Sequence, residues 1–345
     1  MTNDTLTLAP VDTTESFLVR HQVAWGFLRQ TRYVVACILV GIFYLWLSAR
    51  VIPSPNMDGT RALAAGPAVS LVAELTMLGG LVVAVALGTF LTWPDSPHAG
   101  FFIAAVGLIF PACHWGSVTM LLALHPAHLA AAYHTLALQN IFWIVYVLFG
   151  ELISRVIYRL IGSRRWPMYI GLPWPLGFSG SGVVEPPAPY PAYAGILAHD
   201  NPENRAGSAL VPQNLMSFFC TCAVALFVLF LLLKSQQPGQ AIFACFTAFF
   251  AGAFAAAFIA PLADVWTIWI AAPCIAAAGG FLAGFFPEPY PAHAGLCLIR
   301  ALPIYYLSAG IAGAIMGYYA ALRMHTRHAM ESENFNPSPA NPRRN

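Results

Sequence analysis

The chain has 345 residues, 59% hydrophobic and 9% charged, with mean hydropathy +0.67 and a formal net charge of +2. A soluble domain carries about a quarter charged residues, so a water-soluble globular class is excluded. A charge this small, with no basic patch, excludes a nucleic-acid interface. The 7 cysteines fall mostly in apolar stretches without a CxxC, and read as small buried hydrophobes rather than a disulfide or metal framework.

Residues 1–32 lack the basic start and early apolar run of a secretory signal. Asp12 with Glu15 marks a helix start, and Phe17, Leu18, Val23, Ala24, Phe27 and Leu28 can share one side. A short cytoplasmic helix lying on the membrane surface is expected there.

A membrane span needs about 20 mainly apolar residues. Segments near Tyr33–Arg50, Gly66–Trp93, Gly100–Leu124, Leu136–Ile161, Leu215–Lys234, Gln240–Ala263, Val265–Phe286 and Ile299–Leu322 qualify. Backbone groups in lipid must be satisfied within their own segment, which selects helices. The expected fold is an all-α membrane protein of about eight transmembrane helices in two groups of four. Helices 1–4 occupy 33–161 and helices 5–8 occupy 215–322. With both termini in the cytoplasm, only Arg50, Arg61, Lys234 and Arg300 of the 16 basic residues fall outside, so that orientation in an inner membrane is expected.

Between the groups, residues 162–214 are dense in proline and glycine and uncharged from Trp166 to Val184. They cannot form a spanning helix. They read as a linker along the headgroups held by Trp166 and Trp174, with a re-entrant segment as the alternative. Residues 323–345 read as a disordered cytoplasmic tail.

An ionisable side chain inside a membrane is costly and is a functional candidate by default. Glu74 and His114 lie in the second and third spans at similar depths, where they can form an intramembrane polar pair. Glu151 and Arg155 are spaced i, i+4 with the glutamate first, the favourable order for a structural ion pair. His125, His128 and His134 cluster at the outer end of the fourth span, and His293 lies on the same side. Four imidazoles can hold a transition metal or an axial haem position, although the spacing matches no zinc motif such as HExxH. Apart from such a metal or haem, no cofactor is expected.

PAPYPAYAG (187–195) returns as PEPYPAHAG (287–295), and PDSPHAG (94–100) is a weaker third form containing His98. The shared rule is prolines, then an amphipathic ring, then Ala-Gly. It suits extended connectors ending in flexible turns at headgroup level. The second half carries small residues instead of ionisable ones, as in AGAFAAAF (251–258), Gly280 with Gly284, and Gly310, Gly313 and Gly317. Small residues let helices approach closely, which points to a tight bundle or a subunit interface.

GFSG (177–180), with His125, His128 and Leu129 upstream and AHAG (292–295) downstream, resembles the motifs of the rhomboid intramembrane serine proteases, in the family's order. The resemblance implies Ser179 as nucleophile and His293 as base. In that family the serine opens a spanning helix, whereas here GFSG runs into SGVVEPPAPYP.

Sparse polarity and small-residue faces point first to a non-enzymatic packing or accessory subunit of a membrane complex. Its partners would be the lipid bilayer and either other membrane subunits or further copies of itself. The second reading is a transporter or channel for a small ion, metal or proton working through Glu74, His114 and the outer histidines. The third is a membrane enzyme.

Overall fold

The computed structural model describes residues 13–51, 71–92, 98–114, 118, 122, 128–161, 207–260, 265–286 and 298–335. The expectations placed on residues 162–206 of the central segment, on both long proline repeats, on Ser179 and on His125 and His293 lie outside these residues. The described chain is helical, with no strand among the described residues.

The helices, in chain order, are α1 (Thr13–Val51), α2 (Leu71–Thr92), α3 (Ala99–Gly107), α4 (Ile109–His114), α5 (Leu129–Ile161), α6 (Gly207–Leu232), α7 (Pro238–Ile259), α8 (Val265–Trp269), α9 (Ala271–Phe285) and α10 (Pro303–Tyr305). A π-helical turn (Tyr306–Gly310) then leads into α11 (Ile311–Phe335). Six of the described segments are long and apolar enough to cross a membrane: Gln30–Val51, Leu75–Thr92, Leu129–Ile157, Pro212–Leu232, Pro238–Ile259 and Val265–Phe285. The chain is thus an all-α, multi-pass membrane protein, and the bilayer is its solvent.

In the other two expected spans, and in one of the six, proline breaks the helical hydrogen-bond ladder. Proline has no N–H to return to the carbonyl four residues earlier. Pro111 therefore leaves Gly107 without its helical partner, and the helix turns at Leu108 between α3 and α4. Among the described residues, Ala99–His114 is a shorter apolar helix. Pro273 does the same to Trp269, and a turn at Ile270 separates α8 from α9, although the pair still spans. Pro303 acts on the residue before it. Leu302 is extended, with φ −64° and ψ 152°, so the last span starts at Pro303 after a separate turn at 298–300.

Four boundaries differ from the sequence reading, and one is the fifth span, whose helix starts at Gly207 rather than Leu215 and takes in Pro212. The N-terminal helix is continuous with the first span, because α1 runs unbroken from Thr13. Its interior has no proline or consecutive turn formers to stop it, and its isolated glycines, Gly26 and Gly41, are tolerated. The fourth span starts at Leu129 rather than Leu136. The tail is not irregular from residue 323, since α11 continues to Phe335. Residues 323–335 include two Arg, two Met and two Glu, all good helix formers, and the next proline is Pro337.

Packing does not respect the division into halves. α1, α2 and α3 pack on one another, and α2 also lies on α5. α7 is sandwiched between α6 and α11. α9, from the second half, runs along α5, from the first. The interior holds Trp143, Trp269, Tyr44, Tyr133, Tyr146, Tyr305 and Tyr306, all fully buried. The outside is apolar too, with Ile42, Trp46, Phe90, Val145, Leu152, Phe219 and Phe227 exposed. A surface of that kind is stable in lipid and not in water.

Candidate functional site

Glu151 lies in the last third of α5 and is the one buried acidic side chain among the described residues. Residues three and four apart on a helix share a face, so Arg155 lies one turn on from it. Arg155 Nε donates to Glu151 Oε1 at 2.6 Å. The same oxygen is 2.8 Å from His98 Nδ1, an ion pair when the imidazole is protonated. Glu151 is 6% exposed, His98 14% and Arg155 38%. The carboxylate thus sits at the enclosed end of the cluster and the guanidinium at its wetter rim.

His98 is the N-cap residue of α3, but its side chain does not cap that helix. The ring turns away to Glu151. It lies edge-on to Trp269 of α8, with centroids 5.2 Å apart at 85°, and 6.4 Å from Tyr319 of α11. Trp269 in turn packs on Phe101, one turn into α3, at 5.4 Å. Helices α3, α5, α8 and α11 therefore converge on one imidazole. A shared carboxylate oxygen, a group that can gain or lose a proton, and an arginine at the rim make an arrangement that can hold a proton or change its pairing with charge state.

The other candidates are placed as follows. The Glu74 side chain is outside the described set. His114 is exposed at the end of α4, and His128 is exposed just before α5. His134 is half-buried between Phe281, at 6.1 Å, and Phe285, at 6.0 Å. Its ring fits because residue 284 is glycine, as a Cβ there would run into the imidazole. Among the described residues, no three His, Cys, Asp or Glu side chains gather as metal ligands would. The six described cysteines are free thiols.

The sequence reading treated His98 only as part of a connector, and so missed it as the partner of Glu151. It also passed over Gln139, Asn140 and Trp143, which are buried on α5, and the pair Tyr44–Tyr146, whose hydroxyls are 2.7 Å apart in the core. A usable signal was present. Gln139 and Trp143 are spaced i, i+4, and Asn140 and Trp143 i, i+3, in an otherwise apolar span.

Comparison with known protein families, with curated proteins and with solved structures returns no match.

Proposed function

We propose that the chain is a non-enzymatic packing or accessory subunit of a membrane complex. The observation that carries this reading is the contrast between a close-packed inside and a long uncovered outside on α6. In its Pro212–Leu232 span only 22% of the most apolar window is buried, and Leu215, Phe219, Phe227 and Leu231 stand exposed. On its inner side the same helix packs against α7, where a Cβ at Gly252 would touch the Thr221 carbonyl oxygen at 2.7 Å. A stiff bundle with such a face is suited to hold another membrane subunit or a second copy.

Six apolar helices and the two proline-interrupted segments together make eight crossings, and both termini then fall in the cytoplasm of an inner membrane. Extraction in a mild detergent, followed by size-exclusion chromatography and mass spectrometry, tests the reading. Stoichiometric co-purification of another membrane protein, or a defined homo-oligomer, is expected. A clean monomer overturns it.

A second reading, a transporter or channel for a small ion, metal or proton, is favoured by one observation. A buried carboxylate–histidine pair sits at the start of α3 against Trp269, beside the break that Pro273 makes between α8 and α9, and interrupted helices are how transporters build sites inside membranes. Glu74, His114 and the outer histidines would serve the same traffic. In proteoliposomes, Glu151→Gln then abolishes flux while the protein stays folded. Under the subunit reading it changes stability alone.

A further inference from the structure

The burial pattern of α5 divides it cleanly. Leu138, Ile141, Val145, Leu148, Leu152 and Val156 are exposed, whereas Leu136, Gln139, Asn140, Trp143, Tyr146, Val147 and Glu151 are buried. The inward face of this span is thus the polar one. Gln139 is 1% exposed and Asn140 3%, and Trp143 stands at the midpoint of the 29-residue span Leu129–Ile157.

Most hydroxyl groups in this interior are satisfied by their own helix. Thr89, Thr92, Thr221 and Ser308 each donate to the carbonyl four residues back, and Asn140 Nδ2 donates to Leu136 O at 3.0 Å. A helix cannot serve acceptors in the same way, because its N–H groups are already committed to the ladder. Asn140 Oδ1, Gln139 Oε1 and Glu151 Oε2 are buried acceptors without a hydrogen-bond partner, and Gln139 Nε2 and Trp143 Nε1 are buried donors in the same position. Buried indoles and amides are normally paired, and in lipid an unpaired one is especially costly.

Between Trp143 and Glu151 lies the Tyr44–Tyr146 pair. Two hydroxyls carry two protons and only one lies between the oxygens, so the other is offered onward. From Gln139 to Tyr146 these groups extend about 10 Å along the helix axis. Gln139, Trp143 and Tyr146 follow one another at four and three residues, and such neighbours on a helix face are about 5–6 Å apart, close to two hydrogen-bond lengths.

We propose that the buried face of α5 is a chain of binding sites for water-sized neutral molecules, running from Gln139 and Asn140 at mid-span past Trp143 to the Tyr44–Tyr146 pair. The guest must both donate and accept, since the open groups are of both kinds. It is neutral, because Gln139, Asn140 and Trp143 carry no charge to balance. Buried water makes about three such bonds to groups the protein leaves unsatisfied. The inference is independent of the packing-subunit reading.

Radiolytic hydroxyl footprinting of the detergent-solubilised full chain tests it, with water itself as the probe. Radicals formed from bound water oxidise side chains that bulk solvent does not reach. Tyr306 is the internal control, because it is as buried as Tyr146 and its hydroxyl donates to Leu298 O at 2.8 Å. Tyr146 and Trp143 should be oxidised several-fold faster than Tyr306. In the double variant Gln139→Leu/Asn140→Leu, their rates should fall toward that of Tyr306. Equal rates at Tyr146 and Tyr306 in the unsubstituted protein overturn the proposal, whatever the variant does. So does undiminished oxidation in a variant that elutes as folded protein.

Discussion

Along the α7–α11 interface two backbones approach until only glycine fits. A Cβ at Gly313 would meet the Phe246 carbonyl oxygen, and one at Gly317 the Phe250 carbonyl oxygen. Beside this seam Phe246, Phe250, Phe254 and Phe258 stack at 6.2–6.4 Å, and the ladder ends on His325 at 4.8 Å. The buried face of α5 is built the other way, from amides, an indole, a tyrosine pair and a carboxylate. Lipid supplies no hydrophobic drive between helices, so close contact of small residues provides the cohesion. The α7–α11 seam is that kind of contact. The polar groups of α5 are not needed for it, and burying them is costly, which marks α5 as the face kept for chemistry or binding.

The largest effect should come from the seam. Gly317→Val drives a branched side chain into a backbone carbonyl that cannot move aside, at about 3 kcal/mol or more. Loss of the monodisperse peak in fluorescence-detected size-exclusion chromatography after mild heating is expected. Gly79 has nothing within 4 Å of its would-be Cβ, and Gly79→Ala should leave the peak intact or raise its midpoint slightly. If both glycine variants behave alike, the seam is not what holds these helices.

Glu151→Ala comes next. It removes the shared partner of His98 and Arg155. Breaking a fully buried pair is worth about 3–5 kcal/mol, but Arg155 is partly solvated, so about 2 kcal/mol is expected. Thermal melts of Glu151→Ala and Glu151→Gln in one detergent check this, with the isosteric variant the milder. A midpoint unchanged in Glu151→Ala would show that the cluster contributes nothing to folding and would sharpen its reading as a working site.

The smallest effect belongs to the hydroxyl pair. Tyr146→Phe leaves Tyr44 without its partner and should cost about 1 kcal/mol. The double change Tyr44→Phe/Tyr146→Phe should cost less than the sum of the singles, because neither oxygen is then left alone. Strict additivity would mean that the two hydroxyls are not coupled across α1 and α5.

Much of the helical layout could be read locally. Apolar length located the six described spans, and the i, i+4 order of Glu151 and Arg155 put both on one face. Pro111, Pro273 and Pro303 were legible as residues, yet their effect depends on which carbonyl each leaves unpaired, and hydropathy averages over that. His98 was hidden for a different reason. Its neighbours in sequence, PDSP and AG, are those of a turn, while its neighbours in space come from α5, α8 and α11. The boundary at residue 322 was misread because charge suggested an end, while helix propensity carries α11 to Phe335.

By itself the sequence determined that this chain lives in a bilayer as a set of helices. Transfer of a side chain into lipid is a property of each residue, and the backbone can satisfy its hydrogen bonds only within its own segment. Which faces turn inward, and which groups meet there, only the tertiary structure decided. The convergence of His98, Glu151 and Trp269, and the burial of Gln139 and Trp143 away from lipid, arise from packing between helices, and no local property of a segment encodes its partner.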